Sequence, residues 1–124
     1  MAIEQSNRGR FAVRETTPPE SPVTAIALSG QLDAHTAPEF ERFLEQRVRG
    51  ERKMKLILDF HEVEYISSAG LGVLMGLIEE VRAAGGDMKL AALPDKIFHV
   101  LDLLGFPMVF EIFQTTNEAM DAFA

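Results

Sequence analysis

No cysteine occurs among the 124 residues, so neither a disulfide nor a thiolate metal site can be built from this chain. That absence fits a reducing compartment, and a cytoplasmic location is expected. No apolar run is long enough to span a bilayer. The first ten residues, Met1 to Arg10, lack the apolar core of a signal peptide. Basic residues are scarce: 12 Lys and Arg stand against 19 Asp and Glu, for a formal net charge of −7. Phosphate backbones and anionic lipid need clustered cations, so neither nucleic acid nor a membrane is expected as a partner. The densest basic group, Arg47, Arg49, Arg52, Lys53 and Lys55, reads as a solvated helix end and loop.

Catalytic signatures are missing too. No glycine is followed by lysine, which excludes a phosphate-binding P-loop. No Gly-x-Ser-x-Gly elbow is present to make a serine nucleophile. Gly70-x-Gly72-x-x-x-Gly76 is only a loosened dinucleotide fingerprint, and no acidic residue closes the following strand to hold a ribose. His35, His61 and His99 have neither i, i+4 nor facial-triad spacing, so no metal site is expected. His99 reads as a surface or packing residue and His61 as a solvated loop residue. Asp33 and Asp59 each follow a strand, as in a phosphoacceptor-aspartate domain. The lysine such a domain needs at the end of a later strand is replaced by Leu93-Pro94, and Asp59 reads as a turn residue. No cofactor is expected.

The sequence does contain an ordinary globular pattern, 47% hydrophobic and 25% charged, of one-domain length. Residues 1–9 read as a flexible N-terminus ahead of a single domain over 10–124. Phe11 to Arg14 reads as a first strand, antiparallel at an edge. Thr16 to Pro22 is a loop, and Val23 to Ser29 is a second strand with alternating faces. Gly30 to Asp33 reads as a turn. Thr36-Ala37-Pro38-Glu39 has the form of a capping box opening a helix to about Val48, with Phe40, Phe43 and Leu44 inward. Leu56-Ile57-Leu58 suits a strand covered on both faces. Met88 to Leu93 is a further strand. Pro94 opens a helix whose apolar face is Ile97, Val100, Leu101 and Leu104. Val109 to Phe113 is a last strand, and Thr115 to Glu118 is a second capping box before a short helix. Repeated strand–helix–strand units predict an α/β fold. Its sheet is mixed and mostly parallel with an antiparallel edge strand, about five strands and four helices in all.

The organising stretch is Tyr65 to Gly86, a loop that becomes a helix. Leu71, Leu74, Leu77, Ile78 and Val81 give the helix one apolar face. Ser67 and Ser68 stand at its start, followed by the small residues Ala69, Gly70 and Gly72. The first-turn N–H groups lack intrahelical partners and carry the positive end of the dipole. From the residues alone, a serine there either caps the helix or presents a hydroxyl to a modifying enzyme. Functional groups in α/β folds gather where strands give way to helices, here Gly30 to Thr36 and Tyr65 to Gly72.

Several segments together resemble the STAS domain family, in particular bacterial anti-sigma-factor antagonists, over about residues 10–123. They are Gly30-x-Leu32-Asp33-x-x-Thr36, Leu56-x-Leu58-Asp59, Ile66-Ser67-Ser68-Ala69-Gly70-Leu71-Gly72-Val73-Leu74, Gly85-Gly86 and Leu103-Leu104-Gly105-Phe106. The resemblance implies a non-enzymatic binding module. Such a module binds, when unphosphorylated, an anti-sigma factor or switch kinase of the histidine-kinase-like ATPase fold. It is released when that kinase phosphorylates a serine, and a PP2C-type phosphatase restores binding. The family pattern, Asp-Ser-Ser/Thr-Gly, aligns its acceptor with Ser68. Ser67 replaces the aspartate and is the fallback acceptor; Ala69 replaces the second hydroxyl. Asp33 matches a family aspartate near the acceptor. The implied partner surface comprises Asp33, His35, Thr36, Ser67, Ser68, Gly70 and Leu71. An alternative is a non-phosphorylated scaffold subunit of a larger regulatory or transporter-associated assembly, and a homodimer is compatible with either.

Overall fold

The computed structural model describes residues 5–6 and 10–124. The flexible N-terminus expected over residues 1–9 falls outside these except for Gln5 and Ser6, which form a two-residue strand. The strands are β1 (Gln5–Ser6), β2 (Phe11–Glu15), β3 (Thr24–Leu32), β4 (Lys55–Ile66), β5 (Asp87–Ala91) and β6 (Ile112–Phe113). The helices are α1 (Ala37–Glu45, continued by a π turn over Gln46–Gly50), α2 (Ser68–Ala83), α3 (Asp95–Leu103) and α4 (Thr116–Ala122). The six strands lie side by side in chain order. β1, β2 and β3 pair antiparallel, and β3 through β6 run parallel.

Side-chain alternation decides what covers each face. Leu56 and Leu58 point to one side of β4, into a core shared with Phe40 and Leu44 of α1, Leu74 and Val81 of α2, and Ile97 and Leu101 of α3. Ile57, between them, points the other way, into a smaller cluster with Val23, Ala25 and Ala91 that α4 closes with Ala119, Met120 and Phe123. All three residues of the Leu56-Ile57-Leu58 run are fully buried, as expected of a strand covered on both faces. α4 has the forward bond of the expected capping box, Thr115 Oγ1 accepting the Glu118 N–H at 3.1 Å, while Glu118 Oε1 reaches one residue further back and accepts the Gln114 N–H at 3.1 Å.

Four local expectations are corrected. β3 does not turn at Gly30 but runs on to Leu32. Gly30 sits at φ +87° against the Arg10 carbonyl, leaving no room for a Cβ and letting β2 and β3 stay close. Asp59 and His61 are not in a turn or loop: both lie within the twelve-residue β4. That strand contains two bulges, so β3 advances from Ala27 to Ser29 while β4 advances from Asp59 to Glu62, and again from Gly30 to Gln31 against Val63 to Tyr65. The last strand is only Ile112–Phe113; Phe106–Met108 is a 3₁₀ turn after left-handed Gly105, and Phe110 is drawn into the core. Leu104, at the C-terminal end of α3, is exposed rather than inward.

Candidate functional site

β3 and β4 end together. Leu32 pairs with Ile66, so the residues that follow, Asp33 and Ser67, leave the sheet from adjacent strands about 5 Å apart. The two loops are also tied to each other: the Ser67 N–H donates to the Leu32 carbonyl at 2.9 Å. Gly70, one turn into α2, lies over the same residue. A Cβ there would stand 2.6 Å from Leu32 Cγ and 3.0 Å from the Leu32 carbonyl oxygen. Glycine at 70 is therefore what lets α2 descend onto the end of β3.

The β3–α1 turn is held by Asp33. Its Oδ1 accepts the His35 N–H at 2.9 Å and the Thr36 N–H at 3.1 Å, and its Oδ2 accepts from the Arg10 guanidinium at 2.9 Å. Burial works against the charge of Asp33, but the Thr36 and His35 N–H groups and the Arg10 cation outweigh it and hold the carboxyl below its usual range. The capping box expected at Thr36 and Glu39 does not form. The Thr36 hydroxyl is already engaged, donating to the Gln31 carbonyl at 2.7 Å and accepting the Asp33 N–H at 3.0 Å, so Asp33 does the capping one turn earlier. Glu39 is left with Oε2 buried and unpartnered, and burial raises its pKa.

The two candidate hydroxyls are placed differently. Ser67 is the N-cap of α2 by position, with φ −114° and ψ 174°, yet its side chain makes no capping bond, and its Oγ is buried without a partner among the described residues. Ser68 is the first helical residue and is exposed. Below it, Gly72, Met75, Gly76 and Glu79 recur at helical spacing and are exposed as well, so one solvent-facing strip runs down α2 from Ser68. His35 is exposed and Asp33 half-buried at the same rim. Thr36, Gly70 and Leu71, assigned to the partner surface from the sequence, are buried. They shape the two loops and cannot offer side chains to a partner.

Sequence reasoning missed Arg10, the charge partner of Asp33, and Met75, the apolar residue on the strip. Arg10 could have been found from the hairpin register that puts Phe11 opposite Gly30, and Met75 from its i+7 spacing to Ser68. Among the described residues no three of His, Cys, Asp and Glu gather closely enough to hold a metal ion. No helix is long and apolar enough to cross a membrane.

The sequence and the fold both match known proteins. The family model of the STAS domain matches residues 15–119. The chain belongs to the STAS family. This STAS domain is 31% identical over 93 residues to the anti-sigma-B factor antagonist of Listeria monocytogenes, covering 75% of this chain and 81% of the relative. Its fold superposes with a TM-score of 0.82, at 23% identity, on the crystal structure of an anti-sigma factor antagonist from Mycobacterium paratuberculosis, covering 95% of this chain and 97% of the other. It also superposes, with a TM-score of 0.70 at 20% identity, on the Bacillus cell fate determinant SpoIIAA in its phosphorylated form, covering 90% and 99% of the two chains.

Proposed function

We propose that this STAS domain is an anti-sigma factor antagonist switched by phosphorylation of Ser68. Unmodified, it binds an anti-sigma factor that is also a serine kinase of the histidine-kinase-like ATPase fold. The contact surface is the Asp33–His35 turn, Ser68 and the exposed strip of α2. The kinase transfers the γ-phosphoryl group of ATP to Ser68 Oγ: the new O–P bond replaces the bond to ADP, and the hydroxyl proton passes to a base on the partner. The phosphorylated domain is released, and a PP2C-type phosphatase hydrolyses the ester and restores binding in the cytoplasm.

One observation carries this reading: at the tied strand ends Ser68 is exposed, whereas the hydroxyl oxygen of Ser67 is buried. Of the two hydroxyls, only that of Ser68 can enter a kinase site without the helix start coming apart. The phosphate adds about −1.5 to −2 charge. It lands at the N-terminus of a 16-residue helix, which favours an anion by roughly 0.3–1 kcal/mol, so the domain tolerates it. The partner instead meets a new dianion beside Asp33 and must desolvate it, which weakens the complex.

The experiment is phosphorylation by the cognate kinase with ATP, followed by peptide mapping. A phosphate on Ser68, absent from Ser68→Ala, is expected. Equal labelling of wild type and Ser68→Ala would refute the assignment. Ser68→Glu is expected to weaken kinase binding while leaving the melting temperature almost unmoved.

A further inference from the structure

A second surface lies away from Ser68, at the far edge of the sheet. A cleft of about 640 Å³ runs between α3 and the segment around β6, with Leu93, Phe98, Pro107, Phe110 and Ile112 among its lining residues. β6 is the last strand of the order, so among the described residues nothing pairs with its outer edge. The direction of its polar groups follows from the ladder. The Leu90 N–H donates to the Glu111 carbonyl and the Ala92 N–H to the Phe113 carbonyl, both at 3.0 Å. Ile112, between them, therefore turns its N–H and C=O outward, toward the open side. The edge is short, a single outward-facing residue, and its free N–H and C=O can pair with a segment laid beside it.

Exposed apolar residues are concentrated in the stretch of sequence that includes Phe98. The large hydrophobic residues exposed on the described surface number six, and four of them, Phe98, Leu103, Leu104 and Met108, fall within one eleven-residue stretch of α3 and the 3₁₀ turn after it. Met108 is 92% exposed and Leu103 72%. Of these, Phe98 lines the cleft itself, together with Leu93, Pro107, Phe110 and Ile112. The charged residues lining the cleft are Asp95 and Glu111, with no cation among them. Glu111 is paired with Lys89, which leaves Asp95 to face an incoming charge.

We propose that this cleft binds an extended segment of a partner protein, added as a strand beside β6, with apolar side chains alternating into the cleft and a basic residue against Asp95. Ile112 supplies the main-chain hydrogen bonds that give affinity, and the Phe98 side of the cleft selects apolar side chains. The lining of the cleft does not include Ser68, and the site is tested on the unmodified chain.

The probe is an acetylated, amidated heptapeptide alternating lysine and valine, titrated into isotope-labelled protein and followed by amide NMR. Shifts are expected at residues 95–98 and 107–114, with slowed hydrogen exchange at the Ile112 amide. The glutamate–valine counterpart is expected not to bind, and a backbone N-methylated lysine–valine peptide is expected to lose at least tenfold in affinity. Asp95→Asn should weaken the lysine peptide by up to about fivefold at low salt, in line with one exposed ion pair. Equal binding of the N-methylated peptide would overturn the added-strand geometry. Shifts centred on Asp33–Thr36 and Ser67–Leu71, or no shifts at millimolar peptide, would overturn the site. Concentration-dependent self-association in sedimentation, with the same amides shifting in the absence of peptide, would overturn the choice of occupant in favour of a second copy of this chain.

Discussion

Replacing Gly70 by alanine tests the claim that Leu32 locks the two loops together. Gly70, Gly72 and Gly76 all lie in α2, where alanine is ordinarily worth about 0.8–1 kcal/mol over glycine. At Gly72 and Gly76 an added Cβ meets nothing within 4 Å, so both substitutions should realise most of that gain. At Gly70 the same methyl group would sit 2.6 Å from Leu32 Cγ and 3.1 Å from its Cδ2. Leu32 is fully buried and cannot swing aside into water. Overpacking of this kind costs about 1–3 kcal/mol, so the helical gain is cancelled and a net loss of up to ~2 kcal/mol remains. For a chain of this length the melting temperature should fall by up to roughly 10 °C in Gly70→Ala and rise by a few degrees in each of the other two. Urea denaturation of the three variants beside wild type provides the comparison. If Gly70→Ala proves as stabilising as Gly72→Ala, Leu32 yields freely and the strand ends are not locked.

Two further substitutions probe the site directly. Ser67→Ala should leave stability within about 0.5 kcal/mol of wild type, because the hydroxyl makes no bond to lose; a loss of ~1–2 kcal/mol in urea denaturation would mean that it caps α2 after all. Asp33 has a folded pKa below its ordinary 3.8, so its contribution is fully present above that value and is lost as the pH falls through the lowered one. The stability gap between wild type and Asp33→Asn should therefore be constant near neutrality and shrink on acidification, which urea midpoints taken from pH 7 downward would check.

Much of the fold was legible because its elements follow simple periods. α2 shows the helical spacing of its buried residues from Leu71 to Val81, and the Leu56-Ile57-Leu58 run announces a strand covered on both faces. The second half of β4 was hidden by its bulges. The residues facing the main core are Leu56, Leu58 and Phe60, and then Val63 and Ile66, so the step changes from two to three and the strand no longer alternates. The same break made Asp59 and His61 look like a loop. Thr36 misled for another reason: its spacing to Glu39 suits a capping box, but the competition from Gln31 and Asp33 for its hydroxyl is tertiary and leaves no mark on local sequence. At the candidate site, the pairing of the two strand-to-helix junctions could be anticipated from topology. The burial of one serine hydroxyl and the exposure of its neighbour could not, because that depends on how closely α2 settles on Leu32.

The bulged half of β4 also sets a rule for changes in chain length. Between Asp59 and Ile66 each residue faces either the helices or the opposite side, and the two bulges fix that parity. Removing one residue at a bulge, where two consecutive residues face outward, would leave a single outward residue between two inward ones, so Tyr65 would stay exposed and Ile66 buried. Removing one from the regularly alternating half, Ile57 for example, would instead put Leu56 and Leu58 on opposite faces. Length variation in β4 should therefore be accepted at the bulges and rejected in the regular half, a pattern that a deletion series scored by soluble expression would reveal.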